Sequence, residues 1–277
     1  MFVADNLFFL YLYTLKSKES MDRLTIIKVG GKIVEEEESL KKLLSDFSQI
    51  RGNKLLVHGG GRSATRLAER LGVESQMVNG RRITDAETLK IVTMVYGGLV
   101  NKNIVAGLQA LDINALGLMG ADMNIIRSEK RPVSDIDYGY VGDVKHVNAD
   151  ILADLISQGV VPVLAPLTHD REGNLLNTNA DTIAGETAKA LAAKFDVTLV
   201  FCFEKKGVLM DENNDDSVIP TINREEFKNL VEEGVIQGGM IPKLENSFEA
   251  IKSGVKEVVI TQASEIGTEL SGTHISA

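Results

Sequence analysis

Two lysines that lie far apart in the chain, each beside glycines, are the side chains best suited to hold a polyanion. Lys28 lies within the run Leu24 to Lys32, Leu-Thr-Ile-Ile-Lys-Val-Gly-Gly-Lys, where a strand must stop. A buried strand calls for Ile26, Ile27 and Val29, but an unpaired charge among them is costly, so Lys28 is expected to face an anion. The plainer alternative is a strand-end lysine that reaches solvent before an ordinary turn. Gly30 and Gly31 leave backbone N–H groups unobstructed for a phosphate. Gly59, Gly60 and Gly61 follow a second apolar run and open a helix, where N–H groups and the helix dipole favour negative charge. Lys243 ends Gly238-Gly239-Met240-Ile241-Pro242-Lys243. Such a pair of ammonium groups suits the spread charge of a transferring phosphoryl group. Asp181, in Asn177-Thr178-Asn179-Ala180-Asp181, is placed to hold both ammonium groups, or is simply a helix-start aspartate.

Other glycine-based chemistries fit less well. Gly59 to Ala64 matches the G-x-G-x-x-G/A dinucleotide fingerprint, which also wants an acidic residue at the end of the next strand, about 20 residues on. Here that interval reads as a hairpin, and Glu74 and Asp85 fall outside any strand end. The Walker pattern G-x-x-x-x-G-K-[ST] is absent.

The chain has 277 residues and a net charge of −9, which disfavours a nucleic-acid-coating or membrane-surface role. Cys202 is the only cysteine, so no intramolecular disulfide forms and a reducing cytoplasm is the natural compartment. No stretch is read as reaching the roughly 18 apolar residues of a membrane span. Leu7 to Leu15 has the length of a signal-peptide core. However, Asp5 sits where positive charge is expected, and Lys-Ser-Lys-Glu-Ser follows in place of a cleavage site. Met21 is an alternative start. Residues 1–20 are then a translated upstream segment, or else an apolar helix that docks on a neighbouring subunit.

Strands alternating with helices predict a mainly parallel sheet covered on both faces, with ligands gathering at the carboxyl ends of the strands. Leu40, Leu43, Leu44 and Phe47 mark one helix, and Ala64, Leu67, Ala68 and Leu71 mark a second, stopped by Gly72. Asn79-Gly80 predicts a hairpin. Thr84 with Glu87 predicts a capping box for a helix that includes Leu89, Val92, Val95 and Leu99. Antiparallel excursions are expected over 124–147, and Asn148 is expected to cap a helix. Strands are expected over 160–167 and 197–203. Asn223 with Glu226 predicts another capped helix, and 272–275 a last edge strand. The lobes divide near Ala192, giving an extension over 1–20, an N-terminal lobe over 21–192 and a C-terminal lobe over 193–277.

Taken in order, Lys28-Val-Gly-Gly31, His58-Gly-Gly-Gly61, Asn79-Gly-Arg-Arg-Ile-Thr84, Gly98-Leu-Val-Asn-Lys102, Asn177-Thr-Asn-Ala-Asp181 and Gly238-Gly-Met-Ile-Pro-Lys243 resemble the acetylglutamate kinases of the amino-acid kinase superfamily. The resemblance covers about residues 24–277. It implies an α/β fold, a three-layer αβα sandwich on an open, mainly parallel sheet of about eight strands. It also implies an acyl-glutamate site in the N-terminal lobe and ATP in the C-terminal lobe. Position by position, it implies that Lys28 and Lys243 stabilise the transferring phosphoryl group, that Gly31 and Gly60 donate N–H bonds to it, and that Asp181 orients the lysines. Arg82 would grip a substrate carboxylate through its guanidinium fork. Asn177 would bind the acyl-amino part beside Gly60 and Gly61, with Asn179 nearby. The nucleotide would lie along Glu204, Lys205, Lys206, Gly207, Val208 and Leu209 and reach Gly239 and Met240. Mg²⁺ would be held chiefly by the ATP phosphates, with no dedicated protein metal site.

The chemistry so implied needs no general base, because a γ-carboxylate is already ionised at neutral pH, and His58 is accordingly read as structural. Two departures stand out. Phe203-Glu204 replaces the Thr/Ser-Asp pair usual in the family, which loses a hydroxyl near the nucleotide. The tail after Thr261 lacks the glycine-ended loop of feedback-inhibited members, so an arginine-insensitive homodimer is expected. The acetyl group is the family default, N-succinyl-L-glutamate is the alternative acceptor, and a nucleotide-binding sensor without catalysis is the rival from another class.

Overall fold

The structure, a computed structural model, describes residues 21–78, 80–267 and 271–276. The expectations for residues 1–20 and for Asn79 at the hairpin tip lie outside them. In chain order the strands are β1 (Arg23–Val29), β2 (Asn53–His58), β3 (Met77–Val78), β4 (Arg81–Arg82), β5 (Ala115–Leu118), β6 (Ile126–Lys130), β7 (Gly142–Val147), β8 (Val161–Leu164), β9 (Leu167–His169), β10 (Leu175–Asn177), β11 (Asp196–Phe203), β12 (Thr221–Ile222), β13 (Glu257–Gln262) and β14 (Thr273–Ile275). The α-helices are α1 (Gly31–Glu35), α2 (Glu37–Gln49), α3 (Gly61–Arg70), α4 (Ala86–Val92), α5 (Asn101–Gln109), α6 (Ala149–Ser157), α7 (Ala180–Leu191), α8 (Arg224–Glu232) and α9 (Met240–Lys252).

Eight strands form one sheet in the order β12-β14-β13-β11-β1-β2-β8-β5. All neighbours are parallel except β13 and β14. The period-two alternation of β1 divides the core between the two faces. Leu24 and Ile26 pack with α6, α7, α8 and α9 through Leu152, Ile183, Phe227, Leu244 and Phe248. Ile27 and Val29 face the opposite layer, with Leu43, Phe47, Ala64, Val95 and Ile104. These are the three layers expected. The sheet runs unbroken across the division expected near Ala192, because β1 pairs directly with β11.

Local readings differ at four points. The strand expected over 160–167 is two, β8 and β9, separated at Ala165-Pro166; proline has no N–H for a ladder bond. β14 is not the edge, since β12 pairs on its outer side. Asp85, not Thr84, caps α4, its carboxylate accepting from Thr88 N. Thr84 is instead fully buried. Between α4 and α5, Thr93–Val100 forms a π-helical segment. Its wider turn shifts the phase of the side chains, so Val100 is buried while Leu99, one of the apolar residues that marked the helix, is 57% exposed.

Contrary to the reading that no stretch matches a membrane span, Ala86–Gln109 is one helical run of 24 residues that is long and apolar enough to cross one by composition. Its apolar side chains Ile91, Val92, Val95, Ile104 and Leu108 are buried in the core, which accounts for that composition.

A second sheet, β10-β9-β6-β7, and the β3–β4 hairpin stand beside the main sheet and wall one side of a cleft at its carboxyl edge. Register brings the edge together: Lys28 lies opposite Val57 and Phe201, and Val29 opposite His58 and Cys202. The ladder extends one step further, with Gly59 N donating to Val29 O at 3.0 Å.

Candidate active site

Lys28, delivered by the central strand, has its Nζ 2.6 Å from Asp181 Oδ1. Asp181 occupies the first turn of α7, whose N-cap Asn179 accepts from Asp181 N at 2.8 Å and Thr182 N at 3.2 Å. Asp181 thus begins a helix and its carboxylate meets Lys28, while no ion pair between Asp181 and Lys243 forms among the described residues. Lys243 enters from the first turn of α9, its Nζ 3.8 Å from the Phe203 ring centroid, with Lys28 Nζ at 5.6 Å from the same centroid. One aromatic ring thus serves two ammonium groups. Burial pushes the Lys243 pKa down, Asp181 counters this, and Lys28 adds to it.

The glycine segments meet across the β1–β2 junction. A Cβ on Gly31 would lie 3.4 Å from both Gly60 N and Gly61 N, and one on Gly59 would lie 3.1 Å from Gly31 N. A Cβ on Gly60 would come within 2.9 Å of the Tyr96 ring, so glycine is required there. Among the described residues the N–H groups of Gly31, Gly60 and Gly61 have no protein acceptor. Glu35 of α1, its side chain 4% exposed, accepts from Ser63 N in the first turn of α3 at 2.6 Å and pairs with Arg66 at 3.2 Å. That carboxylate satisfies one donor of the helix start and leaves the glycine donors open. His58 is fully buried, and desolvation pushes its pKa down to about 4, against the opposing bond to the Gly59 carbonyl. It is neutral and shielded from solvent, in keeping with the structural reading.

Beside the glycines lies a cleft of about 670 Å³ including its open mouth, lined by Gly60, Gly61, Arg82, Tyr96, Asn177 and Asn179 among others. Arg82 is buried, with Nη1 donating to Ser75 Oγ at 2.7 Å and Nη2 to Gly61 O at 2.9 Å and Thr65 Oγ1 at 2.8 Å. Any bidentate grip uses Nη2, so in this arrangement Arg82 offers a carboxylate single bonds and no fork. Asn177 Nδ2 donates to Thr84 Oγ1 at 2.9 Å. The Asn179 side-chain oxygen is engaged as the α7 cap, which leaves its amide hydrogens for a ligand. Sequence reasoning missed Tyr96, Arg81 and Glu35. Arg81 lies inside a motif already singled out, Tyr96 stands two residues before the one that begins at Gly98, and Glu35 carries no local signal.

On the other side of Gly31 and Gly61 a second opening is lined by Gly30, Lys32, Arg62, Phe203 and Glu204. Glu204 pairs with Lys32 at 3.1 Å and lies 3.8 Å from Arg62. Lys205 and Lys206 pair with Asp215 at 2.6 Å and Asp216 at 2.8 Å. Gly207 packs against Thr273 and Val218, while Val208 and Leu209 are buried, so along this segment main chain and not side chains would meet a nucleotide. Gly239 caps α9, and Met240 packs partly against the core. Among the described residues no three His, Cys, Asp or Glu side chains cluster to hold a metal ion.

A parallel αβα sheet that gathers two lysines, an aspartate and open glycine N–H groups at its carboxyl edge defines an α/β phosphotransferase. The chain belongs to the amino acid kinase family, whose model matches residues 23–262. It is 76% identical over 254 residues to an acetylglutamate kinase of Phocaeicola vulgatus, covering 92% of this chain and 98% of the relative. It is 75% identical over 246 residues to one of Parabacteroides distasonis, covering 89% and 96%. Among solved structures it resembles a Streptococcus mutans protein with a TM-score of 0.75 and 29% identity, covering 92% of this chain and 98% of that one.

Proposed function

We propose that the chain catalyses ATP-dependent phosphorylation of the γ-carboxylate of N-acetyl-L-glutamate, giving N-acetylglutamyl 5-phosphate in arginine biosynthesis. The observation that carries this reading is the junction of Lys28, Asp181 and Lys243 with the open Gly31 and Gly60 N–H groups, flanked by one cleft on each side. The identity to acetylglutamate kinases supports the choice of acceptor.

In this reading the acyl-glutamate occupies the cleft by Arg82 and Asn177, and ATP approaches from the Glu204 side, from the segment through Leu209 and from Gly239 and Met240. A carboxylate oxygen forms a bond to the γ-phosphorus as the bond to the β,γ-bridging oxygen breaks, and ADP leaves with that electron pair. The attacking carboxylate is already ionised, so no residue removes a proton. Lys28 and Lys243 neutralise charge on the transferring group, Gly31 and Gly60 donate to its oxygens, and Asp181 holds the lysines in place. Mg²⁺ would be held chiefly by the nucleotide phosphates and would screen their charge. A cytoplasmic homodimer is the state we assign. The compartment is supported by the lone cysteine, and the dimer by exposed Met94, Leu99, Leu116 and Met123 on the π segment and near edge strand β5.

Hydroxylamine trapping tests the reaction. With ATP, Mg²⁺ and N-acetyl-L-glutamate, hydroxamate and ADP are expected in equal amounts. Nucleotide binding without hydroxamate would make the chain a sensor. N-succinyl-L-glutamate assayed in parallel fixes the acyl group, and a clear preference for it would replace the acceptor while leaving the chemistry.

A further inference from the structure

His58, a buried polar group beside the glycine cradle, is one that the phosphoryl-transfer reading does not use. His58 Nδ1 lies 2.7 Å from Gly59 O, and its Nε2 lies 3.1 Å from Asn101 Nδ2. A carbonyl only accepts, so Nδ1 carries the hydrogen, and the neutral ring leaves Nε2 to accept from the amide. Asn101, itself buried, donates its other hydrogen to Val163 O at 2.9 Å. Its oxygen accepts from Lys102 Nζ at 3.1 Å, and Lys102 also donates to Gly117 O at 3.0 Å. A Cβ at position 117 would collide with Asn101 Oδ1, so the chain leaves room for this relay. Together these bonds fix one tautomer of His58.

The carbonyl held by His58 belongs to the peptide that joins Gly59 to Gly60. Among the described residues every peptide is trans, and a trans peptide points its C=O and N–H in opposite directions. With the Gly59 oxygen tied to the buried imidazole, the Gly60 N–H is turned away from it; Gly60 lines the cleft, and its nitrogen lies 3.4 Å from where a Cβ on Gly31 would sit. We infer that His58 is a positioning residue for phosphoryl transfer. It aims the Gly60 N–H at the transferring group, and Asn101 and Lys102 hold the tautomer that lets it do so. The inference rests on the phosphoryl-transfer reading above and concerns how one donor of that site is preorganised.

Two measurements test it. In the unmodified protein, ¹⁵N resonances of the His58 ring are expected to place the hydrogen on Nδ1; a hydrogen on Nε2 overturns the inference whether or not the acceptor has been identified correctly. In kinetics, His58→Leu is expected to lower kcat by up to about 10²-fold, the effect of weakening one preorganised donor, with KM for the acyl-glutamate within about twofold. His58→Asn places an amide N–H where Nδ1 was and is expected to restore most of kcat. An Asn variant as slow as the Leu variant, or a loss confined to KM, rejects the role. Should the Leu variant fail to fold, the tautomer measurement and the Asn variant still decide. Absent turnover in the unmodified protein would refute the acceptor assignment and leave the tautomer result standing.

Discussion

Asp181 Oδ1 lies 2.6 Å from Lys28 Nζ, joining the first turn of α7 to the end of the central strand. The Lys28 side chain is only 9% exposed, so its carboxylate partner offsets a charge that burial alone would make costly. Asp181→Asn removes that compensation and frees the ammonium to move. Turnover is expected to fall by about 10²-fold or more, as for loss of one preorganised charged group, and Lys28→Ala by about 10²–10³-fold. A coupled ADP assay measures both, and near-normal turnover in Lys28→Ala would remove that lysine from the mechanism.

Lys243 gives the reaction an alkaline limit. Burial sets its pKa below the ordinary 10.5, and the group acts only while protonated. Accordingly kcat/KM, which reports the free enzyme, is expected to fall as pH rises through a value below 10.5. Lys243→Arg keeps its charge throughout this range and should abolish that limb even where it lowers the plateau. A limb that stays in place in the Arg variant belongs to another group.

Acid should destabilise the fold through His58. Its folded pKa of about 4 lies below the ordinary 6.5, so the unfolded chain binds the proton more readily between these values. The stabilisation from keeping the ring neutral is complete above pH 6.5 and is lost as pH falls toward 4. The ceiling is about 3 kcal/mol at 1.36 kcal/mol per unit. Denaturant midpoints measured across this range should fall with pH in the unmodified protein and fall less in His58→Asn. Parallel slopes in the two proteins would assign the acid sensitivity elsewhere.

Arg82 holds loop and cleft together, so its replacement by lysine should not act on binding alone. One ammonium cannot reproduce three bonds directed to Ser75, Gly61 and Thr65. Hydrogen bonds to a charged group contribute about 1.5–3 kcal/mol each, so Arg82→Lys should raise KM for the acyl-glutamate about tenfold or more. It should lower kcat as well, because Gly61 O is one of its partners. A change in KM alone would mean that Arg82 touches only substrate.

Features set by residue type and local spacing were legible in the sequence. Lys28 in an apolar strand, the two glycine segments, the Asn148 and Asn223 caps and the parallel sheet all follow from composition and period. Features decided by tertiary contact were not. Thr84 and Asp85 are both capping residues, and only the buried bond from Asn177 to Thr84 makes Asp85 the cap. A π turn exposes Leu99 because the phase of a helix is not encoded by apolar spacing alone. Phe203 read as a missing hydroxyl, whereas in space its ring lies beneath the two lysines. Val208 and Leu209 are core residues within a segment read only for its proximity to a nucleotide.

The pairing of β1 with β11 bears on how the protein is made. Arg23–Val29 is synthesised early, and its partner Asp196–Phe203 only after most of the chain. Until Phe203 clears the ribosome, the nascent chain carries an open, apolar strand edge of the kind that templates aggregation. Slow, non-local closure of this pair makes the first strand a natural client for chaperone binding during translation.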